Sequence, residues 1–139
     1  MSDVVDRTTR SRMMANIRGK NTKPEVELRS ALHRRGLRFR IHDKRLPGRP
    51  DIVFPKYKAV VHVHGCYWHR HRGCRFATTP SSNIEFWQAK FNSNVDRDWK
   101  TDRALKEAGW RTFVVWECSM REAGATAIAA KVHEWLLSH

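Results

Sequence analysis

Two of the chain's three cysteines, Cys66 and Cys118, each stand two residues beyond an apolar run of β character. The runs are 59–64 (AVVHVH) and 112–116 (TFVVW), and a single long helical pattern lies between them. A strand, helix, strand sequence in one sheet calls for a parallel pair, because the helix carries the chain back to the starting end. Parallel neighbours would deliver both cysteines to the same edge of the sheet. The chain is thus constrained to an α/β fold in which two distant segments meet at their cysteines.

The loop at that edge reads HGCYWHRHRGC over residues 64–74, with the third cysteine, Cys74, inside it. An odd count of three cysteines does not suit a disulfide framework, whereas clustered thiols in a reducing compartment bind metal. Three cysteines and one histidine would make a Cys₃His set, which zinc accepts in tetrahedral geometry. Three unrelated reduced thiols are the alternative, and the local density of Cys and His favours zinc. His69 and His71 both lie between the loop cysteines, and spacing alone does not choose between them. Four protein ligands leave no position for a reactive water, so such a site is structural, and the second histidine is free for chemistry.

Charge narrows the partner. Lys and Arg number 27 against 14 acids, a formal charge of +13 over 139 residues, and the sequence pI is near 10.5. That balance is the footprint of a polyanion binder, with nucleic acid the first candidate and a merely basic soluble factor the second. The opening MSDVVDRTTR is too polar for a signal peptide, and no apolar run approaches a membrane span. These features predict a cytoplasmic, nucleoid-associated protein with no membrane partner. The length suits one domain with one core.

Upstream, Thr22 with Glu25 three residues on reads as a capping box opening a helix that stops at Gly36. Leu37, Phe39 and Ile41 alternate with polar residues as in a strand. The turn LPGRP then delivers Asp51 to the run IVF, and PKYK turns the chain back into 59–64. A hairpin centred near Tyr57 would set Asp51 roughly opposite Val63. Ser82 or Asn83 can cap a helix lasting to Ala108, on which Ile84, Trp87, Phe91 and Val95 share a stripe with Asp98 and Asp102. Carboxylates on an apolar stripe need partners. A closing helix is expected over 125–137.

Taken together, LPGRPDIVF, VHVHGCYWHRH, FW, NVDRD and GWRTFVVWEC closely resemble the very-short-patch-repair (Vsr) mismatch endonucleases, from about Asp6 to Cys118. The resemblance implies a restriction-endonuclease-like fold of the PD-(D/E)xK type, a mixed sheet flanked by helices. It implies one endonuclease domain over 1–139, with residues 1–20 as a basic DNA-contacting arm. The second hairpin strand, VHVH, lacks the acid and lysine usual in that wider class. The implied activity is a Mg²⁺-dependent nick 5′ of the T in a T:G mismatch left by deamination of 5-methylcytosine.

By the same resemblance Asp51 and the backbone carbonyl of Val63 would hold Mg²⁺. His69 would be the acid/base group, oriented by Asp98, and His64 and Glu25 would support the metal and water network. Cys66, His71, Cys74 and Cys118 would hold structural Zn²⁺. Tyr67, Trp68 and Trp87 would wedge into the mismatch from one side and Met14 from the other. Arg10, Arg12, Lys20, Arg70 and Arg72 would contact phosphates. Here Val63 stands where the family has Thr, Tyr67 where it has Phe, Gly73 is an added residue, and HRHR replaces a run of four histidines. Double-stranded DNA is the expected partner, a monomer suffices for one nick, and general mismatch-repair proteins are candidate partners. A zinc-stabilised DNA-binding module, or a related nuclease with another substrate, is the alternative reading.

Overall fold

The computed structural model describes residues 21–138. Arg10, Arg12, Met14, Lys20 and the expected arm 1–20 lie outside the described residues. In chain order the elements are α1 (Lys23–Arg34), β1 (Arg40–Ile41), β2 (Ile52–Phe54), a 3₁₀ turn (Pro55–Tyr57), β3 (Ala59–His64), α2 (Ile84–Glu107), β4 (Arg111–Trp116), α3 (Glu117–Ala123) and α4 (Ala125–Leu137). They form an α/β fold around a four-stranded sheet in the order β1-β2-β3-β4. β1 with β2 and β2 with β3 are antiparallel, and β3 with β4 is parallel. Among the described residues no helix is long and apolar enough to cross a membrane.

The alternation of β3 divides its side chains between two layers. Ala59 and Val61 join Ile52 and Phe54 in the main core, under Leu28 and Leu32 of α1 and Ile128, Val132 and Leu136 of α4. Val60 faces the other way with Val53, against Leu105 of α2. His62 and His64 share that second face by the same parity. The polar residues of β3 therefore look toward α2, the helix that carries Asp98 and Asp102.

Several expectations are corrected. The first strand shrinks to Arg40–Ile41, since Leu37 is buried in the core and Phe39 turns its ring edge onto Phe54 at 5.8 Å. Thr22 is the N-cap of α1 but makes no side-chain cap bond. Glu25 does not close a capping box on Thr22 and instead accepts the Asn21 N–H at 3.1 Å. Ile84 and Val95 are exposed, while Phe91 and Leu105 are buried. The inward stripe of α2 is therefore rotated from the one the sequence suggests, and Asp98 and Asp102 still lie on it. Asp102 is satisfied structurally, accepting the Thr112 hydroxyl at 2.5 Å and pairing with Lys106 at 2.9 Å. Cys118 sits in the first turn of a short helix, α3, that the sequence did not suggest.

The turn LPGRP packs on α2 through Gly48, whose φ of +71° favours glycine, and a Cβ there would fall 2.3 Å from Thr101 Cγ2. A left-handed alanine and a stiff β-branched neighbour both oppose substitution. Gly48→Ala is expected to cost about 2–3 kcal/mol of stability by urea denaturation, from backbone strain plus overpacking.

Candidate active site and metal centre

The β1–β2 register pairs Ile41 with Ile52, so the next step outward sets His42 against Asp51. His42 N–H donates to the Asp51 carbonyl at 3.3 Å. The β2–β3 register pairs Ile52 with Val61, which puts the Asp51 backbone opposite His62, one residue short of the expected Val63. Its side chain covers the difference, Oδ2 accepting the Val63 N–H at 2.7 Å. Burial pushes the Asp51 carboxyl up from 3.8 to about 6. The Val63 N–H opposes that rise, the Glu25 charge adds to it, and His42 and His69 pull the other way.

Glu25, at 2% exposure, is buried. Its Oε1 takes the Arg29 guanidinium at 3.3 Å and the His42 ring Nε2. That Nε2 also lies 4.0 Å from Asp51 Oδ1. One donor atom from each of Glu25, His42 and Asp51 falls within 4.8 Å of the others, so together they could hold a cation.

Beside them His69 Nδ1 lies 2.6 Å from Asp98 Oδ2. A carboxylate oxygen accepts, so Nδ1 is the donor in this bond and Nε2 is the nitrogen that it leaves over. His64 stacks on His69 with centroids 3.9 Å apart and planes 5° from parallel. Burial, with His69 and His62 adding, pushes His64 down to about 2, which keeps it neutral. His62 is buried and likewise pushed down by burial.

The cysteine pairing expected from the parallel strands is present. β3 and β4 align His64 with Trp116, and two residues on Cys118 N–H donates to Cys66 Sγ at 3.4 Å. His71 Nδ1 lies 3.4 Å from Cys118 Sγ. The ligand atoms of Cys66, His71, Cys74 and Cys118 fall within 4.8 Å of one another, a spacing that suits a tetrahedral thiophilic ion. Without a cation Cys66 is pushed up to about 12 by burial and the neighbouring thiols, whereas backbone N–H groups of Phe76 and Ala77 lower Cys74. The two histidines left open by spacing thus part company, His71 facing the thiols and His69 facing Asp98.

The aromatic residues form one cluster. Tyr67 meets Trp68 edge-on at 4.9 Å and Phe91 at 5.2 Å, and Trp87 stacks near Phe91 at 5.8 Å. Trp68 is 9% exposed, and its carbonyl accepts Asn94 Nδ2 at 3.1 Å, so it is not displayed on the surface as expected. Arg70 is also turned inward. Its guanidinium donates to the Tyr67, Ala77 and Thr78 carbonyls and lies 4.0 Å over the Phe91 ring, which ties it to the loop rather than to a ligand. Arg72 is exposed.

Two residues of the site were missed in the sequence. His42 could have been found from the hairpin register, which puts it across from Asp51. Trp116, read only as strand, stacks on His71 at 4.2 Å and meets His64 edge-on at 5.3 Å, touching both clusters.

The family model described as DNA mismatch endonuclease Vsr matches residues 2–75. The DNA mismatch endonuclease Vsr of Escherichia coli is 41% identical over 139 residues, covering 98% of this chain and 88% of that protein. The type II nicking enzyme V.XorIIP of Xanthomonas oryzae is 46% identical over 125 residues, 90% of this chain and 91% of its own. V.NmeAIP of Neisseria meningitidis, also a type II nicking enzyme, is 44% identical over 121 residues, 87% of this chain and 86% of its own. The chain therefore belongs to the Vsr family of DNA mismatch endonucleases and is an endodeoxyribonuclease acting on DNA.

Proposed function

We propose that this chain is a Mg²⁺-dependent nickase that cuts 5′ of the T in a T:G mismatch arising from deamination of 5-methylcytosine, initiating very-short-patch repair. The observation that carries the reading is the His69–Asp98 pair beside the Asp51 carboxylate. Such a pair is what a water-activating site requires once a divalent ion is present. The reading takes the chain as one restriction-endonuclease-like domain over 1–139, its residues 1–20 serving as a basic arm on the DNA.

A divalent ion at Asp51, with the Val63 carbonyl as a second protein ligand, would neutralise phosphate charge and make a water more acidic. The chain's own groups do the rest. His69, its Nδ1–H fixed on Asp98, keeps Nε2 free to take a proton from the attacking water and return it to the leaving oxygen. His64 stays neutral, so its stack on His69 adds no repulsion when His69 becomes charged. Glu25, anchored by Arg29, shapes the network around Asp51. Cys66, His71, Cys74 and Cys118 hold structural Zn²⁺, and the donor set of three thiolates and an imidazole suits that ion.

Tyr67, Trp87 and, after the cluster opens, Trp68 wedge into the mispaired step, where unstacking is cheapest, with Met14 on the other side. Arg10, Arg12, Lys20 and Arg72 contact phosphates. Arg70 instead braces the aromatic loop.

The direct test follows both strands of end-labelled T:G and fully paired duplexes, with Mg²⁺ or EDTA, in several flanking contexts. Cleavage of the T strand alone, 5′ to the mispaired T, is expected, and it disappears in Asp51→Ala. Tight binding without a cut in any context would instead leave a zinc-stabilised DNA-binding module.

The two loop histidines separate the two metals. His71→Ala is expected to lose zinc by atomic absorption and to melt several degrees lower, whereas His69→Ala keeps its zinc and melting temperature. His69→Ala should nonetheless cleave about 10²–10⁴-fold more slowly, the usual worth of an acid/base group.

Asp51 also predicts a trade of stability for activity. Its folded value of about 6 exceeds the usual 3.8, so the folded chain holds this proton more tightly than the unfolded one. Stability from the protonated form is full below about 4 and lost as pH rises through 6. Without divalent ions, Asp51→Asn should therefore gain about 1–3 kcal/mol at pH 7 by urea denaturation and almost nothing at pH 4, while cleavage is abolished.

A further inference from the structure

His42 has no part in the mechanism above, and no motif pointed to it. It holds a left-handed backbone with φ of 48°, a conformation that costs a non-glycine residue free energy and tends to persist where function requires it. Its ring is nearly buried, the side chain 10% exposed. Nε2 sits between two carboxylates, bonded to Glu25 Oε1 and 4.0 Å from Asp51 Oδ1. Asp51 Oδ2 is taken by the Val63 N–H, which leaves Oδ1 on the side of His42. Arg29 donates to the same Oε1 at 3.3 Å, and Asn21 N–H holds the other oxygen of Glu25. Two oxygens and one nitrogen thus lie within 4.8 Å of one another.

We propose that His42 is a further protein donor to the cation at Asp51, so that the site that serves Mg²⁺ binds a first-row ion such as Mn²⁺ more tightly still. The inference rests on the cleavage site proposed above and adds a nitrogen donor to it. Mg²⁺ is a hard ion that keeps its waters and is held by oxygen ligands. An imidazole nitrogen is a softer donor, and sites that contain one favour the first-row transition ions. Two carboxylates balance the ion's charge, and the ion replaces the hydrogen bond between His42 and Glu25, the ring proton then residing on Nδ1 so that the lone pair of Nε2 meets the ion.

The test uses the full-length chain with one equivalent of Zn²⁺ supplied first, so that the cysteine cluster does not take up the probe. Mn²⁺ binding is followed by the loss of the free-ion EPR signal, Mg²⁺ by competition, and directly bonded nitrogen by pulsed EPR. Expected are a wild-type preference for Mn²⁺ of about tenfold or more and a ¹⁴N coupling on the bound ion. His42→Gln, which can still hydrogen-bond Glu25, should lose about tenfold in Mn²⁺ affinity and the ¹⁴N coupling, with Mg²⁺ affinity changed less than about threefold. His42→Asn, which tolerates the left-handed backbone better, should behave alike, and far-UV circular dichroism verifies that both variants fold. Unchanged Mn²⁺ affinity, or a ¹⁴N coupling that survives in His42→Gln, overturns the proposal. Asp51→Asn separates the two levels of inference. It should abolish binding of both ions, and if it does not, the cleavage site itself is misplaced whatever His42 does.

Discussion

Everything at the functional end of this molecule depends on the parallel hydrogen-bonded ladder between β3 and β4. Its register sets His64 beside Trp116, and two residues beyond each strand the chain presents Cys66 and Cys118. A shift of one residue would send the side chains of β4 to the opposite faces of the sheet. The same slip would part Cys118 N–H from the Cys66 sulfur it now meets at 3.4 Å. It would also take Trp116 away from His71 and His64. The ladder is therefore a positioning device as well as a source of cohesion.

The second constraint is the division of labour between the faces of the sheet. One face is apolar and buried under α1 and α4, and it holds the strands rigid. The other keeps only a small apolar patch around Val53, Val60 and Leu105. The rest of that face is given to His62, His64 and the carboxylates of α2. Asp102, tied to Thr112 and Lys106, fixes the helix to β4. One turn earlier, Asp98 is left to meet His69 at 2.6 Å. Similar carboxylates at i and i+4 thus take unlike roles because the strand below offers a hydroxyl to one and the loop offers an imidazole to the other.

What was legible in the sequence follows from the range of the signal. The three longer helices, the hairpin and the meeting of Cys66 with Cys118 are written in local periodicity and strand ends, so they could be read directly, whereas the short α3 could not. Asp51, His69, Asp98 and the thiol set could be named from motifs, and the geometry brings their partners within reach. His42 escaped because a left-handed residue just past a two-residue strand looks locally like the end of an alternating pattern, and its importance comes only from register. The packing of Arg70 and Trp68 was out of reach for a related reason. Charge and ring size say what a side chain can do, but not whether neighbouring carbonyls, as at Arg70, or neighbouring rings, as at Trp68, have already claimed it. Ile84 and Val95 show the limit of helical periodicity, since a stripe drawn on a long helix does not reveal where the sheet beneath it stops.

The two clusters at the sheet edge are also physically one object. Trp116 stacks on His71 at 4.2 Å and meets His64 edge-on at 5.3 Å, and His64 in turn stacks on His69 at 3.9 Å. Rings in van der Waals contact cannot move independently in a packed site. The thiol cluster therefore sets the plane of His71, which sets Trp116, which limits His64 and through it the ring that Asp98 aims. Gly73, with φ of 72°, gives the loop a turn that many side chains would resist, and it lets Cys74 close with His71 on the other two thiols. Between the two clusters, then, the rings and not the loop backbone carry the geometry, from the thiols through His71, Trp116 and His64 to His69.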